Sequence, residues 1–239
     1  MSFPRLIHRP ALSLLGFLAL HGALLAGPIR FLPWDDATAA RKIGFQNAKG
    51  VAELQELHPH KRSAPADGTA GEAALKLVAL DRTSEDGKPV TVDIKLSAGI
   101  QSPLILILPD PKHPTGLRPF VIEDNASNFS WGSLRFINAT GKALLVKQDK
   151  TIKALPETWT PVDLSPGGEA RNTGVQLVAR DDLNTILYSA VWEHHPDIRK
   201  LVFILPGTDA RTGALEFKII PEDRRVQAIA AAAEAKPNP

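Results

Sequence analysis

The chain repeats part of its own sequence. Residues 104–122 read LILILPDPKHPTGLRPFVI, and residues 201–219 read LVFILPGTDARTGALEFKI. At an offset of 97 residues the identities are Leu104/Leu201, Ile107/Ile204, Leu108/Leu205, Pro109/Pro206, Thr115/Thr212, Gly116/Gly213, Phe120/Phe217 and Ile122/Ile219. Such a repeat constrains the fold strongly, because each copy is expected to form the same unit and to bury its apolar face against its neighbour.

Two further pairs of segments match in the same chain order, residues 43–50 with 134–141 and residues 77–81 with 177–181. The duplicated units are therefore predicted to cover residues 41–124 and 132–223. In this alignment the corresponding pairs include Phe45/Phe136, Pro109/Pro206 and Phe120/Phe217. The shared positions are mostly apolar or turn-forming, which is typical of residues that build a scaffold.

The apolar pattern predicts strands with two kinds of environment. Residues 90–96 alternate between apolar and polar side chains, which is the pattern of a strand with one buried face. Residues 104–108 and 201–205 are each five apolar residues in a row, followed by proline. An uninterrupted apolar strand needs cover on both of its faces. We therefore expect each copy to place one such strand at the centre of the structure.

The predicted fold class is all-β, with two tandem duplicated β-sandwich lobes, immunoglobulin-like or jelly-roll-like, packed together. A single pseudo-symmetric sandwich, to which each copy contributes part of both sheets, is the alternative. Short strands separated by polar turns favour both architectures. Residues 27–40 are expected to form a linker, and the alanine-rich tail, residues 224–239, a short helix or a disordered segment.

The N-terminus has the layout of a secretory signal peptide, predicted to cover residues 1–26. Arg5 and Arg9 precede an apolar run from Ala11 to Ala26, which is shorter than a membrane-spanning helix requires. The protein is therefore expected to be periplasmic or secreted, with no transmembrane span after processing. An uncleaved N-terminal membrane anchor is the alternative, because Leu24 stands where signal peptidases prefer a small residue.

Composition limits the partners and the chemistry. The chain has 28 Lys plus Arg and 26 Asp plus Glu, and residues 1–26 contain two of the basic residues and no acidic residue, so the remainder is balanced. A balanced charge gives no electrostatic reason to bind nucleic acid. The chain has no cysteine, which excludes thiol catalysis and disulfides. No nucleotide-binding or catalytic-serine motif is present, so no cofactor is predicted.

The best polar cluster for chemistry lies in residues 193–197, Glu-His-His-Pro-Asp. Carboxylates and imidazoles can bind a divalent metal, so Glu193, His194 and His195 are candidate metal ligands for a metal-dependent or hydrolytic enzyme. The competing interpretation is a hairpin loop shaped by Pro196 and Asp197, with solvated histidines. Adjacent residues in one loop lack the regular spacing of most metal sites.

Trp159 and Trp192 are candidate ligand-binding residues. Exposed tryptophan rings stack on sugars in many β-sandwich proteins, so a carbohydrate-binding module is one hypothesis. Core packing is the competing interpretation for both. Trp159 lies where the second copy is nine residues longer than the first, and an added loop is a common place for function.

Together these features favour an exported, non-catalytic protein with a binding or structural role in the bacterial envelope. Its partner would be an unknown protein or glycan of the envelope. The alternatives are the carbohydrate-binding module and the enzyme that uses residues 193–197. Fold class alone does not decide among them, because sandwiches support many activities.

Overall fold

The computed structural model describes residues 28–68, 74–209, 211 and 213–234. In chain order the elements are β1 (Arg30–Pro33), α1 (Asp36–Ala39), β2 (Ile43–Asn47), β3 (Gly50–Glu53), β4 (Lys76–Thr83), β5 (Pro89–Asp93), β6 (Pro103–Pro109), β7 (Leu117–Glu123), β8 (Leu134–Asn138), β9 (Leu144–Gln148), β10 (Thr151–Leu155), β11 (Val162–Leu164), β12 (Arg171–Ala179), β13 (Ile186–His194), β14 (Ile198–Pro206), β15 (Leu215–Asp223) and α2 (Arg224–Glu234). The prediction of an all-β fold is confirmed.

The strands form two lobes of two sheets each. In lobe 1, which comprises β1 to β7, the sheets have the orders β1-β6-β7 and β3-β2-β4-β5. In lobe 2, which comprises β8 to β15, the orders are β11-β8-β14-β15 and β10-β9-β12-β13. Both lobes pair a first strand in parallel with a long apolar strand, β1 with β6 and β8 with β14.

Three apolar cores alternate with the four sheets. One core lies between the sheets of lobe 1 and another between the sheets of lobe 2. The third core, here called the inter-lobe core, joins the β1-β6-β7 sheet to the β11-β8-β14-β15 sheet. The two central sheets are therefore covered on both faces.

The two long apolar strands supply side chains to both of their faces. In β6, Ile105 and Ile107 face the lobe 1 core, whereas Leu104 and Leu106 face the inter-lobe core. In β14, Val202 and Ile204 face the lobe 2 core, whereas Leu201 and Phe203 face the inter-lobe core. The alternation follows from the two-residue period of a strand. The predicted double burial of these strands is confirmed.

The structural repeat begins earlier in the chain than the sequence alignment indicates. Phe31 lies opposite Ile105 across the parallel β1-β6 pair, as Phe136 lies opposite Val202 across the β8-β14 pair. Phe31 is therefore the counterpart of Phe136, and the predicted correspondence of Phe45 with Phe136 is wrong. Instead Phe45, in β2, occupies the position of Val146, since they lie opposite Leu77 and Leu177.

The prediction that residues 27–40 form a linker is also wrong for the part of this segment that the structure describes. It contains β1 and α1, and Phe31 and Leu32 of β1 are fully buried. The short, mixed sequence around β1 carries no alternation that distinguishes it from a loop. Its strand character comes from pairing with β6.

The second predicted correspondence, Phe120 with Phe217, fails by one residue. Pro109 and Pro206 do correspond, but the β6-β7 loop has seven residues, 110–116, and the β14-β15 loop has eight, 207–214. This shift moves each side chain of the following strand to the other face. Phe120 packs against the inter-lobe core, whereas Phe217 packs against the lobe 2 core.

The matched phenylalanine and isoleucine positions of the sequence repeat are expected to be core residues. This prediction is confirmed for Phe45, Phe136, Ile107 and Ile204, which are buried, whereas Phe217 is only half-buried. The alanine-rich tail begins as the predicted helix, α2, and residues 235–239 lie outside the described residues. The predicted signal peptide also lies outside them. Among the described residues, no helix is long and apolar enough to span a membrane.

Candidate functional site

The predicted metal-binding residues lie at the end of β13 and in the turn that follows. His194 is buried, and its Nε2 atom lies 3.3 Å from the carbonyl oxygen of Gly168. His195 uses Nδ1 to accept a hydrogen bond of 3.1 Å from the backbone N–H of Asp197. The competing interpretation, a turn with solvated histidines, is therefore wrong for His194, which is buried, and both imidazoles are engaged within the protein.

The space beside these residues is small. A cavity of about 10 Å³, lined in part by Trp192, Glu193, His194 and His195, has room for a single water molecule. Within the described residues, no group of three or more His, Cys, Asp or Glu side chains could hold a metal ion. The metal hypothesis gains no support from this geometry.

Trp159 lies between β10 and β11, with its ring in the inter-lobe core. It packs against Trp34, Phe120 and Phe203, at centroid distances of 5.9, 5.4 and 6.3 Å. Its φ angle of 59° is in the left-handed region, which is unfavourable for a residue with a large side chain. Packing against these three rings offsets the conformational cost of this φ angle, and it also covers much of the surface of the Trp159 ring.

Trp192 is similarly engaged in lobe 2. Its indole N–H donates a hydrogen bond of 2.8 Å to the hydroxyl of Tyr188. Its ring stacks on Phe136 and contacts the edge of Phe217. The polar and apolar parts of this side chain both have partners within the protein.

A buried ion-pair network joins the two lobes. Asp124, which follows β7, accepts hydrogen bonds from Arg62 Nε and Nη2 at 2.7 and 3.0 Å. Arg199 of β14 binds the backbone oxygen of Asp124 and the carboxylate of Glu222 in β15. The side chains of these four residues are at most 10% exposed. Their positions are so far apart in the chain that sequence spacing gave no signal for the network.

The network holds its charges by mutual pairing. Burial of Arg62 opposes its charge, but attraction and hydrogen bonding from Asp124, with attraction from Glu222, raise the pKa of Arg62 above its ordinary value. Arg62 Nη1 is buried without a hydrogen-bond partner among the described residues. The guanidinium of Arg199 also lies over the rings of Phe129 and Trp131, at 4.9 and 4.8 Å. These contacts indicate that the network holds the two lobes together.

A small cleft opens beside the network. It has a volume of about 160 Å³ and is lined in part by Arg30, Asp124, Trp131 and Arg199. Arg30 donates a hydrogen bond of 2.7 Å to Glu222, so this cleft is continuous with the ion pairs that join the lobes. Its polar groups serve chiefly to hold the lobes together.

A large concavity lies at one end of lobe 2. This feature, here called the lobe 2 groove, has a volume of about 860 Å³ and lies among the β8-β9, β12-β13 and β14-β15 connections. Leu144, Leu187 and Leu215 form its apolar part. Lys142 and Asp181 are among the charged residues that line it. A volume of this size suits a ligand or a segment of a partner protein.

The same end of lobe 1 is closed by the protein itself. Arg41 binds Asp81 through two hydrogen bonds of 2.8 Å, which is the bidentate geometry of a strong arginine-carboxylate pair. This contact lowers the pKa of Asp81, the hydrogen bond from Arg41 being its largest cause. Arg82 donates to the carbonyl oxygen of Pro114 and lies directly on Gly116, where a Cβ atom would come within 2.7 Å of it.

The residues of this closure have counterparts in lobe 2. Ile43 lies opposite Ala79 as Leu144 lies opposite Ala179, so Lys142 stands where Arg41 does. Asp181 follows the sequence Leu-Val-Ala-Arg as Asp81 follows Leu-Val-Ala-Leu. In the described part of the chain, Lys142 and Asp181 form no ion pair with each other or with another residue. The lobe 2 groove therefore lies at the end of lobe 2 that corresponds to the closed end of lobe 1, and no equivalent ion pair closes it among the described residues.

The lengths of the connections explain this difference. The β1-β2 connection has nine residues, 34–42, and includes α1, whereas the β8-β9 connection has five residues, 139–143. The longer connection contains Arg41 and contacts the ends of β1 and β6 through α1. Two residues of the β14-β15 loop, 210 and 212, lie outside the described residues. Sequence analysis missed the groove because its alignment placed the β1-β2 connection outside the repeat.

No protein-family model matches the chain, and no curated protein matches it significantly.

Proposed function

We propose that this chain is an exported, non-catalytic binding protein of the bacterial envelope, and that the lobe 2 groove is its binding site. One comparison carries the proposal. The protein closes the end of lobe 1 with the Arg41–Asp81 pair, whereas the equivalent end of lobe 2 is open and is lined by Lys142 and Asp181, which form no ion pair among the described residues. An exposed concave surface with an apolar part and polar groups at its rim is typical of a binding site.

The use of the candidate chemical groups supports the non-catalytic part of the proposal. His195 accepts a hydrogen bond within its own turn, and His194 lies within hydrogen-bond distance of Gly168 in the β11-β12 connection, so both imidazoles are engaged in structural contacts. The cavity beside them holds one water molecule at most. A catalytic cluster would need several such groups to converge on a space that accepts a substrate.

The carbohydrate-binding alternative has less support than binding of a polypeptide. Trp159 and Trp192 pack against other aromatic side chains of the protein. The described residues that line the groove include no aromatic ring on which a sugar could stack. The groove offers aliphatic and charged groups instead, which suit side chains of a protein segment.

The export part of the proposal rests on the first 26 residues. Arg5, Arg9 and the apolar run that follows have the composition of a secretion signal, and the absence of cysteine suits a domain stabilised by its cores alone. The intact mass of protein recovered from the periplasm of its native host tests this. A mature protein that lacks about 26 residues is expected, whereas a cytoplasmic protein that begins at Met1 would contradict export.

A matched pair of variants tests the groove as the binding site. Leu187→Trp places a large ring in the groove, and Ile152→Trp places the same ring on an exposed residue of β10, 60% accessible, outside its lining. Both proteins are used as bait in envelope extracts, after circular dichroism verifies their folding. A specific partner retained by wild type and Ile152→Trp and lost with Leu187→Trp is the expected result. Equal capture by both variants would contradict the assignment of the groove.

A further inference from the structure

We infer that the lobe 2 groove binds an extended protein segment that presents an arginine, and that Asp181 is the carboxylate that receives its guanidinium. This inference rests on the proposed binding function of the groove and specifies the partner. The closed end of lobe 1 serves as a template, because it shows the arginine-carboxylate contact that we expect when the groove is occupied.

The template is the Arg41–Asp81 pair. Its two parallel hydrogen bonds, each 2.8 Å long, match the planar guanidinium to the two carboxylate oxygens. Asp181 lies at the corresponding position in lobe 2, at the edge of the groove. Lys142 replaces Arg41 and cannot reproduce this geometry, because an ammonium group is a point charge without a fork of donors. The carboxylate of Asp181 is thus left for a guanidinium from outside.

The charge of the groove agrees with a basic ligand. Its described lining carries three carboxylates, Glu157, Asp181 and Asp182, and two cations, Lys142 and Arg180. Asp182 has local partners, since it accepts hydrogen bonds from Thr185 and the backbone N–H of Asn184, which lower its pKa. Asp181 and Glu157 make no such contacts among the described residues. They supply the negative charge that a guanidinium would pair with.

The apolar part of the groove favours a polypeptide over a small cation. Leu187 is half-buried, and Pro206 and Ala214 are exposed, on the lining of the groove next to the buried Leu144 and Leu215. Aliphatic side chains beside the arginine would bury additional surface there, at about 25 cal/mol per Å². A volume of about 860 Å³ accommodates several residues of an extended segment.

The test uses two peptide libraries that differ by one group. Acetylated and amidated hexapeptides carry arginine at the third position in one library and citrulline, its uncharged analogue, in the other, with the remaining positions varied. Binding to ¹⁵N-labelled protein is followed through the amide resonances of residues 141–144 and 179–187. Arginine peptides are expected to shift these resonances and to bind at least about tenfold more tightly than their citrulline equivalents.

Two variants complete the test. Asp181→Asn is expected to weaken binding of the selected arginine peptides by about tenfold or more. Glu85→Gln removes an exposed carboxylate from the β4-β5 turn of lobe 1 and is expected to leave the affinity unchanged. A parallel titration with envelope oligosaccharides shows whether the groove takes sugar instead.

The outcomes separate this inference from the proposed function. Equal affinity of arginine and citrulline peptides at the groove, or no effect of Asp181→Asn, would overturn the inference and leave groove binding intact. Oligosaccharides that shift the groove resonances when no peptide does would have the same consequence. If neither library nor oligosaccharide shifts these resonances, and Leu187→Trp captures the same partners as wild type, both proposals are wrong.

Discussion

At the residue scale, Asp124 is a buried carboxylate in contact with two buried arginines. Its side chain binds Arg62, from a loop of lobe 1, and lies 3.4 Å from Arg199 of lobe 2. All three side chains are nearly inaccessible to solvent. A buried ion pair adds less to stability than its short distances indicate, because both charges lose their hydration. Removal of one partner is nevertheless costly, since the other charge stays buried.

Asp124→Asn is therefore expected to lower the free energy of unfolding by roughly 3 kcal/mol or more, because two buried arginines are left to share the single carboxylate of Glu222 among the described residues. Asp93→Asn is the control, since Asp93 forms an exposed pair with Lys76 at 3.6 Å and should cost about 1 kcal/mol or less. Urea denaturation measures both. Similar losses for the two variants would contradict the assigned role of the network.

The closure of lobe 1 makes a prediction about pH. The pKa of Asp81 lies below its ordinary value of 3.8, mainly because of the hydrogen bond from Arg41. A carboxylate with a lowered native pKa contributes stability above its unfolded-state pKa, and this contribution is lost as pH falls through the native value. Arg41→Ala is expected to raise the pKa of Asp81 and to destabilise the protein more at pH 7 than at pH 2.

Carboxyl ¹³C titration of wild type and Arg41→Ala, with unfolding measured at the two pH values, tests this. An unchanged titration of Asp81 in the variant would show that the pair seen here does not form in solution.

At the element scale, a difference of one residue in loop length determines the apolar core that each aromatic ring faces. The β14-β15 hairpin has one more loop residue than the β6-β7 hairpin, so Lys218 rather than Phe217 stands at the position of Phe120. Lys218 is buried, and its ammonium group donates to the carbonyl oxygen of Pro59. Desolvation lowers the pKa of Lys218, and attraction from Asp35 and Asp36 partly offsets the effect. The inter-lobe core is thus less symmetric than the sequence repeat.

The connection between β10 and β11 makes the next prediction, through Trp159. Trp159→Ala and Trp159→Gly both lose the ring that packs on Trp34 and Phe120, so each should cost roughly 3 kcal/mol. The glycine variant should be the more stable by about 1 kcal/mol, because a φ angle of 59° brings the Cβ atom of alanine close to its own backbone, whereas glycine has no Cβ atom. Thermal and urea denaturation measure both differences. If Trp159→Ala leaves the free energy of unfolding unchanged, the ring is exposed and the sugar-binding hypothesis regains support.

At the scale of the whole molecule, each lobe contributes an arginine of its first strand to the other lobe. Arg30 of β1 binds the carboxylate of Glu222 near the end of β15, and its counterpart Arg135 of β8 binds the backbone oxygen of Glu123 at the end of β7. The central sheets share one core, so neither lobe has a separate hydrophobic interior on that side.

The shared core predicts that both lobes unfold in one transition. Removal of either lobe would expose Leu104 and Leu106 on one side, or Leu201 and Phe203 on the other. Intrinsic tryptophan fluorescence and far-ultraviolet circular dichroism should therefore give coincident urea transitions. Hydrogen exchange should protect the amides of β6 and β14 with similar free energies. Two separated transitions would mean that the inter-lobe core does not couple the lobes.

Local sequence by itself determined the class of fold. Alternation in residues 90–96 and unbroken apolar runs in β6 and β14 specify strands, and they also specify how many faces of each strand must be covered. The repeat identified two similar units, but it left open whether they form two lobes or one pseudo-symmetric sandwich, and the sheet orders decided for two lobes. These features depend on side-chain polarity and period, which can be read without knowing which strands pair.

Tertiary structure alone decided the register, the ion-pair network and the groove. Phe31 became the counterpart of Phe136 through pairing of β1 with β6, although Phe45 matches better in sequence. Arg62 and Arg199 meet at Asp124 from distant parts of the chain. Asp181 lies in a groove because one connection is four residues shorter than its equivalent. Each outcome depends on strand pairing and loop length, which act over distances that local sequence patterns do not encode.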